Sequence, residues 1–104
     1  MKTPEVNQYR YFVAIADTGS MKQAAEILGI TQSALIQYKH KLESELGYPC
    51  FLLSSGGTLT LTPPGVRYYQ YCCDALQLWQ TLQSQLDTIR AEASAGEDPT
   101  ETDP

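Results

Sequence analysis

The sequence predicts a mainly α domain of the α+β class, and three observations carry that expectation. Apolar residues recur at helical spacing in three successive segments, each bounded by residues suited to capping or ending a helix. Two short β-like runs then flank a Ser/Gly-rich tip. Finally, Val66 to Ala95 contains neither Gly nor Pro, enough for about 30 residues of helix, roughly 45 Å long. A chain of 104 residues has room for one core and an appendage, and its 42% hydrophobic and 18% charged residues are ordinary for a packed fold.

In the first segment, Val6–Asp17, the residues Tyr9, Phe12, Val13 and Ala16 share one face, and Thr18-Gly19 ends it. Ser20 is a good N-cap for a short second helix, Met21–Leu28, with Ala24, Ala25 and Leu28 turned inward. Gly29 stops that helix, and Thr31 caps a third that runs from Gln32 to about Leu46. Gly47 and Pro49 prevent its continuation. Cys50-Phe51-Leu52-Leu53 and Leu59-Thr60-Leu61 read as the strands of a hairpin around Ser54–Thr58. Thr62 caps the final helix, with Pro63 or Pro64 in its first turn, where a missing N–H costs nothing. The expected division is a headpiece over 1–62, a long helix over 63–95 and a disordered acidic tail over 96–104.

Several function classes fall away on composition. No run approaches the ~20 apolar residues of a membrane span, and the N-terminus lacks the apolar stretch of a signal peptide, so the expected compartment is the cytoplasm. Cys50, Cys72 and Cys73 cannot all pair within one chain, and with His40 as the one histidine they do not suggest zinc. They are read as reduced, small apolar residues. No nucleophile–base pair or phosphate-cradling glycine loop is evident, so neither an enzyme nor a cofactor is expected.

The net charge of −5 is unevenly spread. Residues 1–67 carry six Lys and Arg against five Asp and Glu, a net +1, whereas residues 68–104 carry one against seven, a net −6. A surface that meets phosphate therefore belongs to the first two thirds. There the second and third helices form a helix-turn-helix: Ala24-Ala25 permits close approach, Gly29 makes the turn, and Ile30 and Leu35 pin the crossing. The second helix of such a pair lies in the DNA major groove. Its polar start, Thr31, Gln32, Ser33 and Gln37, suits base edges, Gln being able to pair with adenine through two bonds, and helix N-termini suit phosphate. With the hairpin added, the expected architecture is a winged helix-turn-helix.

The run Tyr11–Ser20, followed by Ala24-Ala25-Glu26 and Leu28, resembles the N-terminal domain of LysR-type transcriptional regulators. So do Thr31-Gln32-Ser33-Ala34-Leu35, Leu42–Gly47 with Pro49 and Phe51, and Leu61-Thr62-Pro63 with Gly65. The resemblance covers about residues 6–90 and includes the order of elements. The headpiece of ModE-type regulators is also similar around Gly56–Pro63, but the Phe12 region and Glu45-Leu46-Gly47 favour the LysR type. What the resemblance implies is sequence-specific binding of double-stranded DNA, with helix three as recognition helix, the hairpin as a wing and the long helix pairing two subunits. The implied DNA contacts are Ser20, Lys22, Thr31, Gln32, Ser33, Ile36, Gln37, Lys39, His40, Lys41, Gly57 and Thr58.

The chain also departs from the family pattern. Ser33 replaces a usual Pro, Ile36-Gln37 replaces Ser-Arg, and Lys39 occupies a customary apolar position, so that either Tyr38 takes over the packing or the helix is rotated. Nothing between Leu42 and Val66 is Lys or Arg, so the wing is neutral. In such regulators an effector-sensing domain follows the long helix and it is not in this sequence, giving the expectation of either a piece of a longer regulator or a free-standing one, lacking a sensor domain, that is controlled by its amount or by partners. Along the long helix, Tyr68, Cys72, Ala75, Trp79, Leu82, Leu86, Ile89 and Ala93 recur in steps of four and three, the seam by which two helices zip together. Tyr69, Leu76 and Leu78 are expected to widen it toward the headpiece. A homodimer through that seam is expected. The alternative is a protein-interaction module of the same fold that pairs with another regulator and binds little DNA.

Overall fold

The computed structural model describes residues 4–96, with side-chain surroundings from Val6 to Ser94. Four helices and one hairpin follow in the order α1 (Pro4–Thr18), α2 (Met21–Leu28), α3 (Gln32–Leu46), β1 (Phe51–Leu53), β2 (Leu59–Leu61) and α4 (Pro63–Gly96). The expected disordered tail lies outside the described residues, except that Gly96 closes α4.

The local punctuation follows the side chains. Ser20 Oγ accepts the Gln23 N–H at 3.1 Å and starts α2, and Thr31 Oγ1 accepts the Ala34 N–H at 3.1 Å and starts α3. Thr62 Oγ1 accepts the Gly65 N–H at 3.1 Å and starts α4, three residues earlier than the Gly/Pro-free run begins, because Pro63 and Pro64 fit the first turn. Gly65 is required there by space: a Cβ would collide with the Cys50 carbonyl. Gly19 meets two demands at once. Its φ of +66° suits the end of α1, and a Cβ would come within 2.8 Å of the Thr58 methyl. Across the same contact its carbonyl accepts the Leu59 N–H at 2.9 Å, docking the hairpin on the α1–α2 turn.

The strands pair antiparallel with Phe51 opposite Leu61, Leu52 opposite Thr60 and Leu53 opposite Leu59. Phe12 and Ile15 of α1, Ala24 and Ala25 of α2, Leu35 of α3, Cys50 and Phe51 at the hairpin, and Cys72 of α4 form one buried core. Phe12 sits at its centre, its ring 4.9 Å from both Phe51 and Tyr68. The tyrosines tie helices together: Tyr38 donates to the Gln8 carbonyl at 2.9 Å, Tyr69 to Asp17 Oδ1 at 2.7 Å, and the hydroxyls of Tyr9 and Tyr71 lie 3.0 Å apart. At 34 residues α4 is about 51 Å long. It outruns that core, and the molecule measures 62 × 25 × 21 Å.

Candidate nucleic-acid interface

The helix-turn-helix presents one face of α3 to solvent. Leu35 is buried, with Tyr38 and Leu42 half-buried beside it, and this fixes which side of the helix turns outward. Ser33, Gln37, His40 and Ser44 recur at steps of four, three and four on the opposite side, and all four are exposed. Ile36 and Lys41 flank this row, and Gln32 is exposed at the start of the helix. Ser44 is absent from the expected contacts, although the same spacing reaches it from Ser33.

Other expected contacts sit differently. Ser20 and Thr31 have their oxygens engaged as caps, which fixes the N-termini of α2 and α3, while each hydroxyl keeps a hydrogen to donate. Lys22 is exposed on α2, and Gly57 and Thr58 are exposed at the hairpin tip. Lys39 is not a free cation. Its Nζ lies 3.0 Å from Glu43 Oε1, with both side chains largely enclosed. The helix is thus not rotated: Tyr38 takes the packing role, its ring 5.4 Å from Tyr11 and edge-on, and Lys39 is accommodated by its ion pair.

Glu43 is not among the expected site residues, and two of its three partners come from beyond the helix. Its Oε2 accepts the N–H groups of Cys50 at 2.7 Å and Phe51 at 3.2 Å. Burial alone would raise the Glu43 pKa, yet the Cys50 N–H, the Lys39 ammonium and the Phe51 N–H together hold it below the ordinary value. Burial pushes the Cys72 thiol up to about 12 and raises that of Cys50, so neither is a thiolate at neutral pH.

The expected seam of α4 divides. Cys72 is fully enclosed by its own chain, so its apolar surface is spent in the core and not toward a partner, whereas Tyr68 packs on Phe12 and stays half-buried. Ala75 and Trp79 are half-buried. Beyond them Leu82, Leu86 and Ile89 are 43%, 50% and 60% exposed. Tyr69 and Leu76 face the headpiece, but Leu78 does not: it is 71% exposed, since two residues along a helix turn the side chain nearly to the other side.

The model of the bacterial regulatory helix-turn-helix proteins of the lysR family matches residues 6–66. The chain belongs to the LysR family. Its winged helix-turn-helix is that family's DNA-binding domain. HvrB of Rhodobacter capsulatus, a transcriptional activator of AhcY, is 33% identical over 93 residues, which are 89% of this chain and 30% of HvrB. The transcriptional regulator BudR of Klebsiella aerogenes is 39% identical over 74 residues, 71% of this chain and 51% of BudR. The chain therefore spans about a third to a half of these curated relatives. Among solved structures, the DNA-binding domain of BenM on benA site 1 DNA superposes with a TM-score of 0.75 at 31% identity, over 86% of this chain and 99% of that one. Full-length CbnR, a LysR family regulator, gives 0.66 at 26% identity, with this chain covering 29% of it. No helix among the described residues is long and apolar enough to cross a membrane.

Proposed function

We propose that the chain binds double-stranded DNA sequence-specifically as a homodimer and so regulates transcription in the cytoplasm. The observation that carries this reading is the outward row of α3, Ser33, Gln37, His40 and Ser44, flanked by Gln32 and Lys41 on a helix whose other side is locked into the core. In this reading Gln32 and Gln37 address base edges, and Ser33, His40, Lys41 and Ser44 approach bases or phosphates according to depth in the groove. Ser20, Lys22 and Thr31 meet backbone phosphates at the N-termini of α2 and α3, and Ile36 meets an apolar base edge. Gly57 and Thr58 of the neutral wing touch the adjoining groove without adding charge. Pairing runs through the distal part of α4, where Leu82, Leu86 and Ile89 are exposed. The AhcY activator HvrB and the DNA-bound BenM domain support the regulatory and DNA-binding sides of the proposal.

A mobility-shift titration against the DNA upstream of the gene encoding this chain, at two salt concentrations, tests it. A discrete complex that survives competitor DNA is expected. The combined change Gln32→Ala and Gln37→Ala should cost about 2 kcal/mol or more of discrimination between operator and competitor while the protein stays folded. Equal discrimination by the double variant would remove α3 from the reading role.

A further inference from the structure

Cys50 lies where three elements meet. Its N–H donates to Glu43 Oε2 of α3 at 2.7 Å, and its carbonyl accepts the Thr62 N–H at 3.0 Å. Thr62 donates its hydroxyl to the Pro49 carbonyl at 2.6 Å while the same oxygen caps α4. Gly65 brings the first turn of α4 directly onto the Cys50 carbonyl. Two successive peptide groups, Pro49–Cys50 and Cys50–Phe51, thus each donate to the carboxylate of α3 and accept from Thr62 at the start of α4. Beyond this link the two helices meet through side chains, Leu46 of α3 lining one groove with Tyr68 and Tyr71 of α4. Both rest on α1, and their backbones share little contact along their lengths. Hydrogen bonds to a carboxylate are the strong kind, and this one is anchored a second time by Phe51 and a third by Lys39.

We infer that Glu43 is a positioning residue that sets the angle at which α4 carries the recognition helix, acting through the two peptide groups on either side of Cys50 and through Thr62. The inference rests on the dimeric DNA-binding reading above. In a dimer joined through α4, that angle fixes the separation and facing of the two recognition helices, and hence which half-site spacing the protein accepts. Glu43 touches no base in this account, and Lys39 serves to orient the carboxylate.

The test uses the full chain and a set of operators with identical half-sites, the spacing between them lengthened or shortened by one and two base pairs. Glu43→Ala should reduce the ratio of affinities between the preferred and the altered spacings by about threefold or more, the scale on which coupling networks shift affinity. Preference for the half-site bases themselves should be unchanged. Glu43→Gln, which keeps the shape and one acceptor, should lie between, and it carries the test if Glu43→Ala does not fold. Residual dipolar couplings of the α3 and α4 amides give a readout that needs no DNA: the relative orientation of the helices should shift in the variant. A spacing ratio and an orientation both unchanged in a folded variant would overturn the inference. If the original chain binds no operator, the proposed function fails, and the dipolar couplings still decide the role of Glu43: shifted orientation supports it and unchanged orientation rejects it.

Discussion

From Pro63 to Trp79, α4 lies against α1 and the hairpin, with Tyr68 on the Phe12 ring and Cys72 enclosed; from Thr81 to Ser94 every residue of the same helix is exposed. The two halves share one apolar period. The period states which residues lie on one face, and the reach of the core decides what that face meets. The headpiece covers the first half, and about 51 Å of helix carries the second beyond it. Leaving Leu82, Leu86 and Ile89 in water forgoes roughly 1.5–3 kcal/mol for each side chain that could be fully buried, so the second half is the part that gains from a partner.

The two halves should break differently. Phe12→Ala removes the ring against which Tyr68 of the proximal half and Phe51 of the hairpin pack, and should cost about 3–5 kcal/mol, read from denaturant unfolding of the whole domain. Leu82→Asp with Leu86→Asp should leave the headpiece folded by circular dichroism and near-ultraviolet signal while weakening operator binding severely. Loss of the headpiece fold in the distal variant would erase the distinction between the halves.

A finer version of the contrast runs along α3, where Lys39 is engaged by Glu43 and Lys41 is exposed two residues later. Lys41→Met should lower the slope of log affinity against log salt by about one, as the loss of one phosphate contact does, and Lys39→Met should leave the slope unaltered. A slope lowered by about one in both variants would mean that the Lys39–Glu43 pair opens on DNA, and a slope unaltered in both would remove Lys41 from the phosphate contacts.

The smallest effect concerns Glu43 alone. Its folded pKa lies below the ordinary value of 4.5, so its contribution to stability is present above pH 4.5 and is lost as pH falls through the folded value. Glu43→Gln should therefore be less stable than the original chain at neutral pH by about 1–2 kcal/mol, with the gap closing below pH 4.5. Thermal unfolding of both proteins from pH 7 to pH 3 checks this, and a gap constant across that range would assign the role of Glu43 to shape and not to charge.

What the sequence disclosed was local. Ser20, Thr31 and Thr62 could be assigned as caps because each partner N–H lies three residues ahead, and the hairpin could be bounded because Gly56 and Gly57 interrupt two apolar runs. The sequence names Ser33, Gln37 and His40 of the exposed row of α3 and leaves out Ser44, one turn further on. Tertiary partners were not legible in the same way. Glu43 looks like any solvated helix glutamate until the Cys50 and Phe51 amides arrive from beyond Gly47, and Lys39 looks free until Glu43 is fixed. The heptad counts Cys72 toward a partner because it carries no information on where its own core ends, and Leu78 lies off the headpiece side that Leu76 occupies.

Sedimentation equilibrium on the unmodified chain at micromolar concentration, beside the Leu82→Asp and Leu86→Asp double variant, tests most directly the claim that the distal half of α4 is covered by a second copy. The account predicts a dimer for the first and a monomer for the second. A monomer for the unmodified chain, or a dimer that survives both substitutions, would contradict it.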